Sequence, residues 1–393
     1  MGEKTLNRKI LAAAVAVAST LPAASALALD GAKGSNVTIY GRFQIESTNI
    51  TDSDGDKFGC TTCEPWYMND IAPGRFGFLA KEKIGDGLQA VGKFEYGTDT
   101  SDNTGVSGRT SYIGVKSDSW GFLWFGEVDG AYKVTGGHKA DFINSTTMEA
   151  RNAGGISSGK FGHSSRNSKT ANYASPNWAG FSFRIQYNPE NSDAAGDKSG
   201  FYNLGVQYKN GPIWVWGGYS DQKDVDTADV LDQNSAGVTE VVTNDDRRRW
   251  KLGGRLTFGN HKLNLQFEKA KGYGEELEDN SISARGGLPA EGTGADANFY
   301  WLQYDYKFGN NDIIAGFGRA DFDSNNTFDT DGNAVFLDDY DYDAYTLAFR
   351  HKFSKTFKAW IGGRYLKASD IGDDDQDNDI KAFSIGMRKD WKI

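Results

Sequence analysis

Lys381-Ala382-Phe383-Ser384-Ile385-Gly386-Met387-Arg388-Lys389-Asp390-Trp391-Lys392-Ile393 ends the chain. Apolar and polar residues alternate along it, with Phe383, Ile385, Met387, Trp391 and Ile393 on one face, which is the period of two that a β-strand requires. A strand running to the terminus predicts a sheet closed by its last strand. The dyad recurs in Thr38 to Glu46, where Ile39, Gly41, Phe43 and Ile45 oppose Tyr40, Arg42, Gln44 and Glu46. It recurs again in Lys262 to Glu268, where Leu263, Leu265 and Phe267 oppose Asn264, Gln266 and Glu268, and in 181–187, 250–256, 300–308 and 345–351. Alternation alone suits a soluble antiparallel sheet as well as a membrane one.

The other end of the chain points to a compartment. Lys4, Arg8 and Lys9 precede a short apolar run from Ile10 that ends in small residues, the pattern of a secretory signal peptide and too short for a membrane helix. We expect residues 1–28 to be removed, with cleavage after Ala26 or Ala28. Losing three bases and one acid takes the formal charge from −10 to about −12, and so acidic a chain is a poor partner for nucleic acid. With 49 Gly, 7 Pro, 2 Cys and 13% aromatic residues, and no later apolar run near twenty, a disulfide-built miniature domain and a helical membrane protein are both excluded.

Connection lengths separate the remaining possibilities. Tight polar turns at Gly85-Asp86-Gly87, Ser119-Trp120-Gly121, Asn210-Gly211-Pro212, Gly259-Asn260-His261, Gly309-Asn310-Asn311 and Ser354-Lys355-Thr356 alternate with long acidic connections such as 50–70, 222–246, 272–297, 323–341 and 369–379. Short turns at one end and long loops at the other predict an all-β, sixteen-stranded antiparallel transmembrane β-barrel with an aqueous lumen. The strands are expected near 37–49, 74–84, 88–99, 109–117, 122–128, 166–175, 181–188, 200–210, 213–221, 247–258, 262–272, 298–308, 312–321, 342–353, 357–368 and 380–393. The even count puts both termini on one side, expected to be the periplasm.

Across residues 29–393 the chain resembles the Gram-negative general diffusion porins. The likeness is carried by Val37-Thr38-Ile39-Tyr40-Gly41, by Arg75-Phe76-Gly77-Phe78 with Gly85-Asp86-Gly87-Leu88-Gln89-Ala90, and by Ser111-Tyr112-Ile113-Gly114. Its most specific part is Arg166-Asn167-Ser168 leading into Tyr173-Ala174-Ser175-Pro176-Asn177-Trp178-Ala179-Gly180-Phe181. Two positions depart from the family pattern: Gly126-Glu127 stands where the fifth strand usually ends in Gly-Arg, and the terminus is Ile393 rather than Phe.

The resemblance implies that residues 129–165, too long for a hairpin, form a third loop folded into the barrel to narrow it. On that reading Asp129, Asp141 and Glu149 on the loop, with Glu127 and Arg166 beside it, face Arg42, Arg75 and Lys93 on the opposite wall. An acidic loop across from a basic wall would set up a transverse field. Arg184, Arg249, Arg255, Arg350 and Arg388 read as solvated wall charges. The expected function is passive passage of ions and small hydrophilic solutes through the outer membrane of a Gram-negative bacterium, with a weak cation preference. The alternative is a channel selective for sugars or anions, with Tyr40 and Trp301 on the lumen parity as sugar platforms. The resemblance also implies a homotrimer, insertion by the barrel-assembly machinery, and contact with outer-membrane lipid and lipopolysaccharide.

Cys60 and Cys63, in an exported loop, are expected to pair locally. No cofactor or metal is expected: the four His are scattered, and Asp329-Thr330-Asp331-Gly332-Asn333 lacks the closing Glu of a calcium loop. His138, His163, His261 and His351 lie in no local catalytic constellation, so an enzyme is not expected.

Overall fold

In the computed structural model, residues 36–51, 66–69, 74–101, 105–151, 166–192, 198–223, 246–273, 295–322, 325–328, 334–337, 340–369 and 379–393 are described. The signal segment, Cys60, Cys63, His163, the 329–333 loop and the latter part of the 129–165 connection lie outside them.

The strands run β1 (Asn36–Thr51), β2 (Tyr67–Asn69), β3 (Gly74–Gly85), β4 (Leu88–Thr98), β5 (Val106–Ser117), β6 (Gly121–Asp129), β7 (Arg166–Ala174), β8 (Phe181–Ser192), β9 (Lys198–Asn210) and β10 (Ile213–Lys223). They continue as β11 (Asp246–Phe258), β12 (His261–Tyr273), β13 (Ala295–Phe308), β14 (Asn311–Phe322), β15 (Asn325–Phe328), β16 (Ala334–Leu337), β17 (Tyr340–Lys352), β18 (Phe357–Ser369) and β19 (Ile380–Lys392). Sixteen of these form one closed antiparallel wall. Each pairs with the next long strand, and β19 pairs back to β1. At the seam, Ile393 and Ile39 exchange backbone hydrogen bonds of 2.8 and 3.1 Å, so the terminal strand does close the sheet. The exceptions are β15 and β16, which pair only with each other, and β2, which lies along the upper half of β1 where β3 has left it.

Burial is inverted relative to a soluble sheet. Leu265 is 55% exposed while its neighbours Asn264, Gln266 and Glu268 are buried, and Phe383, Ile385 and Met387 are likewise exposed on β19 with Ser384 and Gly386 buried between them. The apolar parity therefore faces outward, where lipid takes the place of a core, and the polar parity lines the lumen. Strand positions agree with expectation to a few residues. The largest differences, β5 starting at Val106, β8 ending at Ser192 and β13 starting at Ala295, are all on the long-loop side. There both faces turn polar and the period of two no longer marks the end.

Candidate functional site

The segment after β6 runs inside the barrel rather than over its rim. It begins with a short helix, Ala131–Val134, and a turn of 3-10 helix, Gly137–Lys139. Two glycines permit this path. Gly126 (φ 140°) lies at a bulge between β6 and β7, and Gly136 (φ 62°) packs so closely that a Cβ would sit 1.9 Å from Cδ1 of Trp216.

The lumen parity of the distant wall holds the described part of the loop from Tyr132 to Thr147. Tyr132 donates from its hydroxyl to Glu268 Oε1 (2.6 Å), and Lys251 donates to the Tyr132 carbonyl (2.8 Å). Farther on, Asn264 and Arg255 both donate to the Ala140 carbonyl, and Gln303 accepts from the Phe142 backbone (2.8 Å) while donating to Asp141 (2.7 Å). Arg350 donates to the Phe142 carbonyl. At the far end Glu46 of β1 accepts from the backbone and hydroxyl of Thr147. Apolar contacts complete the seat: Ala140 and Ala150 pack with Trp216 and Trp301, and Ile143 and Met148 pack with Ile314, Ala348 and Trp360. Each buried hydrogen bond to a charged group is worth about 1.5–3 kcal/mol, so the loop is a fixed partition.

The described part of the loop is held by β9 to β19 and by Gln44 and Glu46 of β1, while β1, β3, β4 and β5 carry a separate group of charges. There Arg42 and Arg75 are in register across β1 and β3. Glu95 sits among Lys93 (3.1 Å), Arg109 (3.4 Å) and Arg75 (3.5 Å), and accepts from the Tyr40 hydroxyl (2.8 Å). One carboxylate is thus shared by three cations.

The acidic residues of the loop do not face this wall as expected. Asp141 is buried and accepts from the Ile143 and Ala150 backbone N–H groups as well as Gln303, so it staples the loop to itself. Burial raises its pKa to about 6, against the pull of those donors. Glu149 is 2% exposed, accepting from Ser145 N (2.6 Å) and Arg151 (2.5 Å) with His138 at 3.6 Å. Asp129 alone keeps an open side, and Lys133 (3.0 Å), Lys139 (3.8 Å) and Arg166 (3.8 Å) surround it. Glu127 pairs in register with Ser111, beside the bulge at Gly126.

What the loop does present to the passage is Lys139, whose side chain is 41% exposed, backed by Lys133 and Arg151. Burial lowers the pKa of Lys139, with Asp129 opposing and Arg75, Arg151 and Arg42 adding to the fall. Among the described residues the cations Lys133, Lys139, Arg151, Arg42 and Arg75 are interleaved with the carboxylates Asp129 and Glu95, in place of an acidic loop facing a basic wall. Glu95, Arg109, Lys133, Lys139 and Arg151 were not singled out from sequence, although Glu95 and Arg109 lie on strands whose lumen parity could be counted.

Two other expectations change. Of the wall arginines taken as solvated, Arg249 lies 4.5 Å from the Tyr132 ring, Arg255 4.5 Å from the Phe142 ring, and Arg350 binds Asp312 at 2.9 Å, so all three grip the loop or its seat. Of the two proposed sugar platforms, Trp301 is packed under the loop and Tyr40 is engaged by Glu95.

A barrel wall with an inward partition pinned at Glu46, Gln303 and Glu268 is the architecture the sequence likeness implied, and the family description "Gram-negative porin" matches residues 11–371. The chain belongs to the Gram-negative porin family. An outer membrane porin protein of Bordetella pertussis is 27% identical to this porin over 268 residues, covering 60% of this chain and 64% of that protein. A chitoporin of Vibrio furnissii is 28% identical over 230 residues, covering 55% and 58%. The matched stretch thus spans less than two thirds of either relative. An anion-selective porin from Comamonas acidovorans has the same fold, with a TM-score of 0.62 at 18% identity over 91% of this chain and 100% of that one. The family and its fold are those of outer-membrane channels.

Proposed function

We propose that this porin is a passive diffusion channel of the Gram-negative outer membrane, admitting ions and small hydrophilic solutes with a weak preference for anions. The observation that carries this reading is the half-exposed ammonium of Lys139 on the loop and the Arg42–Arg75 pair on the wall, with Glu95 and Asp129 as the carboxylates among these cations. An excess of one sign in a narrow, partly dehydrated zone raises the local concentration of the opposite ion. The sign differs from the cation preference expected from acidic loops, because Asp141 and Glu149 are turned into the loop. The name of the Comamonas protein is consistent with this sign.

The rest of the reading follows the family: removal of residues 1–28, a constriction loop of 129–165, periplasmic termini, insertion by the barrel-assembly machinery into lipid and lipopolysaccharide, a Cys60–Cys63 pair, and a homotrimer in which each barrel keeps its own pore. The test is single-channel conductance of the purified protein in a planar bilayer, with the reversal potential measured under a salt gradient. Steps in multiples of three with a potential of anion sign support the proposal. A cation sign overturns the selectivity, and a folded barrel that does not conduct overturns the channel.

A further inference from the structure

On the short-turn side of the loop, beside the seat that holds it, the lumen carries a group of aromatic and cationic side chains. Lys209 precedes the turn between β9 and β10 and Trp214 follows it, while Arg255 lies near the end of β11. The Arg255 guanidinium is set between two rings, 4.5 Å from the centre of Phe142 and 5.0 Å from that of Trp214. Its Nε donates to Asn264 Oδ1 at 2.7 Å and a terminal nitrogen donates to the Ala140 carbonyl, so its plane is held from behind. Of five N–H donors these take two. Lys209 Nζ stands 5.3 Å from the Trp214 ring, and the Trp214 indole is steadied by donating to Gln207 at 3.1 Å. Lys262 Nζ stands 5.5 Å from the Phe142 ring and is paired with Asp305 at 3.1 Å. Phe142, Trp214 and Arg255 are half-buried, each keeping part of its surface in the lumen.

We propose that this group is a subsite for planar aromatic carboxylates; the proposal rests on the reading of the chain as a diffusion channel with anion preference. Beyond the faces covered by Arg255 and, on Trp214, by Trp216 at 4.9 Å, the half-buried rings keep part of their surface for stacking, and the cations between and beside them offer donors to a carboxylate a few ångströms from the ring plane. An aliphatic carboxylate of the same charge gains only the second interaction. A sugar gains only the first and leaves the cations unused. An aromatic carboxylate gains both, which makes this place a resting point after the constriction.

The experiment adds benzoate, acetate or chito-oligosaccharide to both sides of a planar bilayer holding the wild-type protein, Trp214→Leu or Lys209→Gln. Benzoate is expected to interrupt the current at concentrations where acetate does not, with the block weakened roughly fivefold in Trp214→Leu and by a smaller factor in Lys209→Gln. Equal effects of benzoate and acetate on the wild type, a benzoate block unchanged by both substitutions, or a block by chito-oligosaccharide at lower concentration than benzoate would overturn the subsite. Tryptophan fluorescence of the folded barrel in detergent reads the same site without conduction. Benzoate and not acetate should quench it, less so in Trp214→Leu, and loss of that difference overturns the subsite whether or not the barrel conducts. A barrel that shows the quench but carries no current would instead sink only the diffusion reading.

Discussion

Glu46 and Thr147, 101 residues apart in the chain, are joined by two hydrogen bonds to a single carboxylate oxygen: the Thr147 backbone N–H at 3.0 Å and its hydroxyl at 2.8 Å. Ser384 of β19 donates to the same oxygen at 2.7 Å, so one buried acid ties the first strand, the last strand and the tip of the inward loop together. Glu46→Gln keeps the shape but removes the charge that all three donors address. It should weaken loop seating by about 1–3 kcal/mol, read as increased open-channel noise with an unchanged far-ultraviolet spectrum.

Acid should act on the loop through two residues with opposite signs. The Asp141 pKa is raised to about 6 by burial, so its contribution to the seated loop is full below the ordinary value of 3.8 and is lost as pH rises through about 6. The His138 pKa is held well below 6.5, by burial first and by Arg151, Lys139 and Lys133 after it, so its contribution is present above 6.5 and is lost as pH falls. Channel noise between pH 7 and 5 should therefore rise on acidification in Asp141→Asn, where His138 acts alone. It should fall in His138→Asn.

Gly136→Ala tests the close approach to Trp216. The new methyl meets the indole at 1.9 Å in a backbone of φ 62°, so the loop must move. At φ 62° and ψ −148°, a region kept essentially to glycine, backbone strain of about 1–3 kcal/mol adds to overpacking of about 1–3 kcal/mol. The expected result is a lower thermal midpoint and a changed unitary conductance.

Charge at the passage sets the reversal potential. Lys139→Glu should move it toward cation sign, and Glu95→Gln should move it further toward anion sign, because Lys93, Arg75 and Arg109 lose their shared counter-charge. A unit charge at 4 Å in water is worth about 1 kcal/mol, so a permeability ratio should change roughly fivefold.

The outward face has its own test. Leu265→Lys places an ammonium toward lipid on β12 and should lower barrel stability by up to about 2–4 kcal/mol in urea unfolding from bilayers, the range for lysine near the membrane midplane.

The wall of the barrel was legible in the sequence because side-chain parity is a local property. Every second residue of Lys262 to Glu268 or of Lys381 to Ile393 must share a face, and the contrast between short turns and long loops is written in the chain itself. The lumen positions of Arg42, Arg75 and Lys93 follow from the same count. The inward loop, by contrast, has no period, and its acids look alike in sequence: Asp129, Asp141 and Glu149 are each a carboxylate in a glycine-containing segment. Only the tertiary structure decided that Asp141 closes on its own backbone, that Glu149 is held by Ser145 and Arg151, and that Lys139 is left facing the passage. The reason is that the sign of a field depends on which charges are neutralised at hydrogen-bond distance. That is settled by contacts such as Gln303 with Asp141 and Glu46 with Thr147, between residues more than a hundred positions apart.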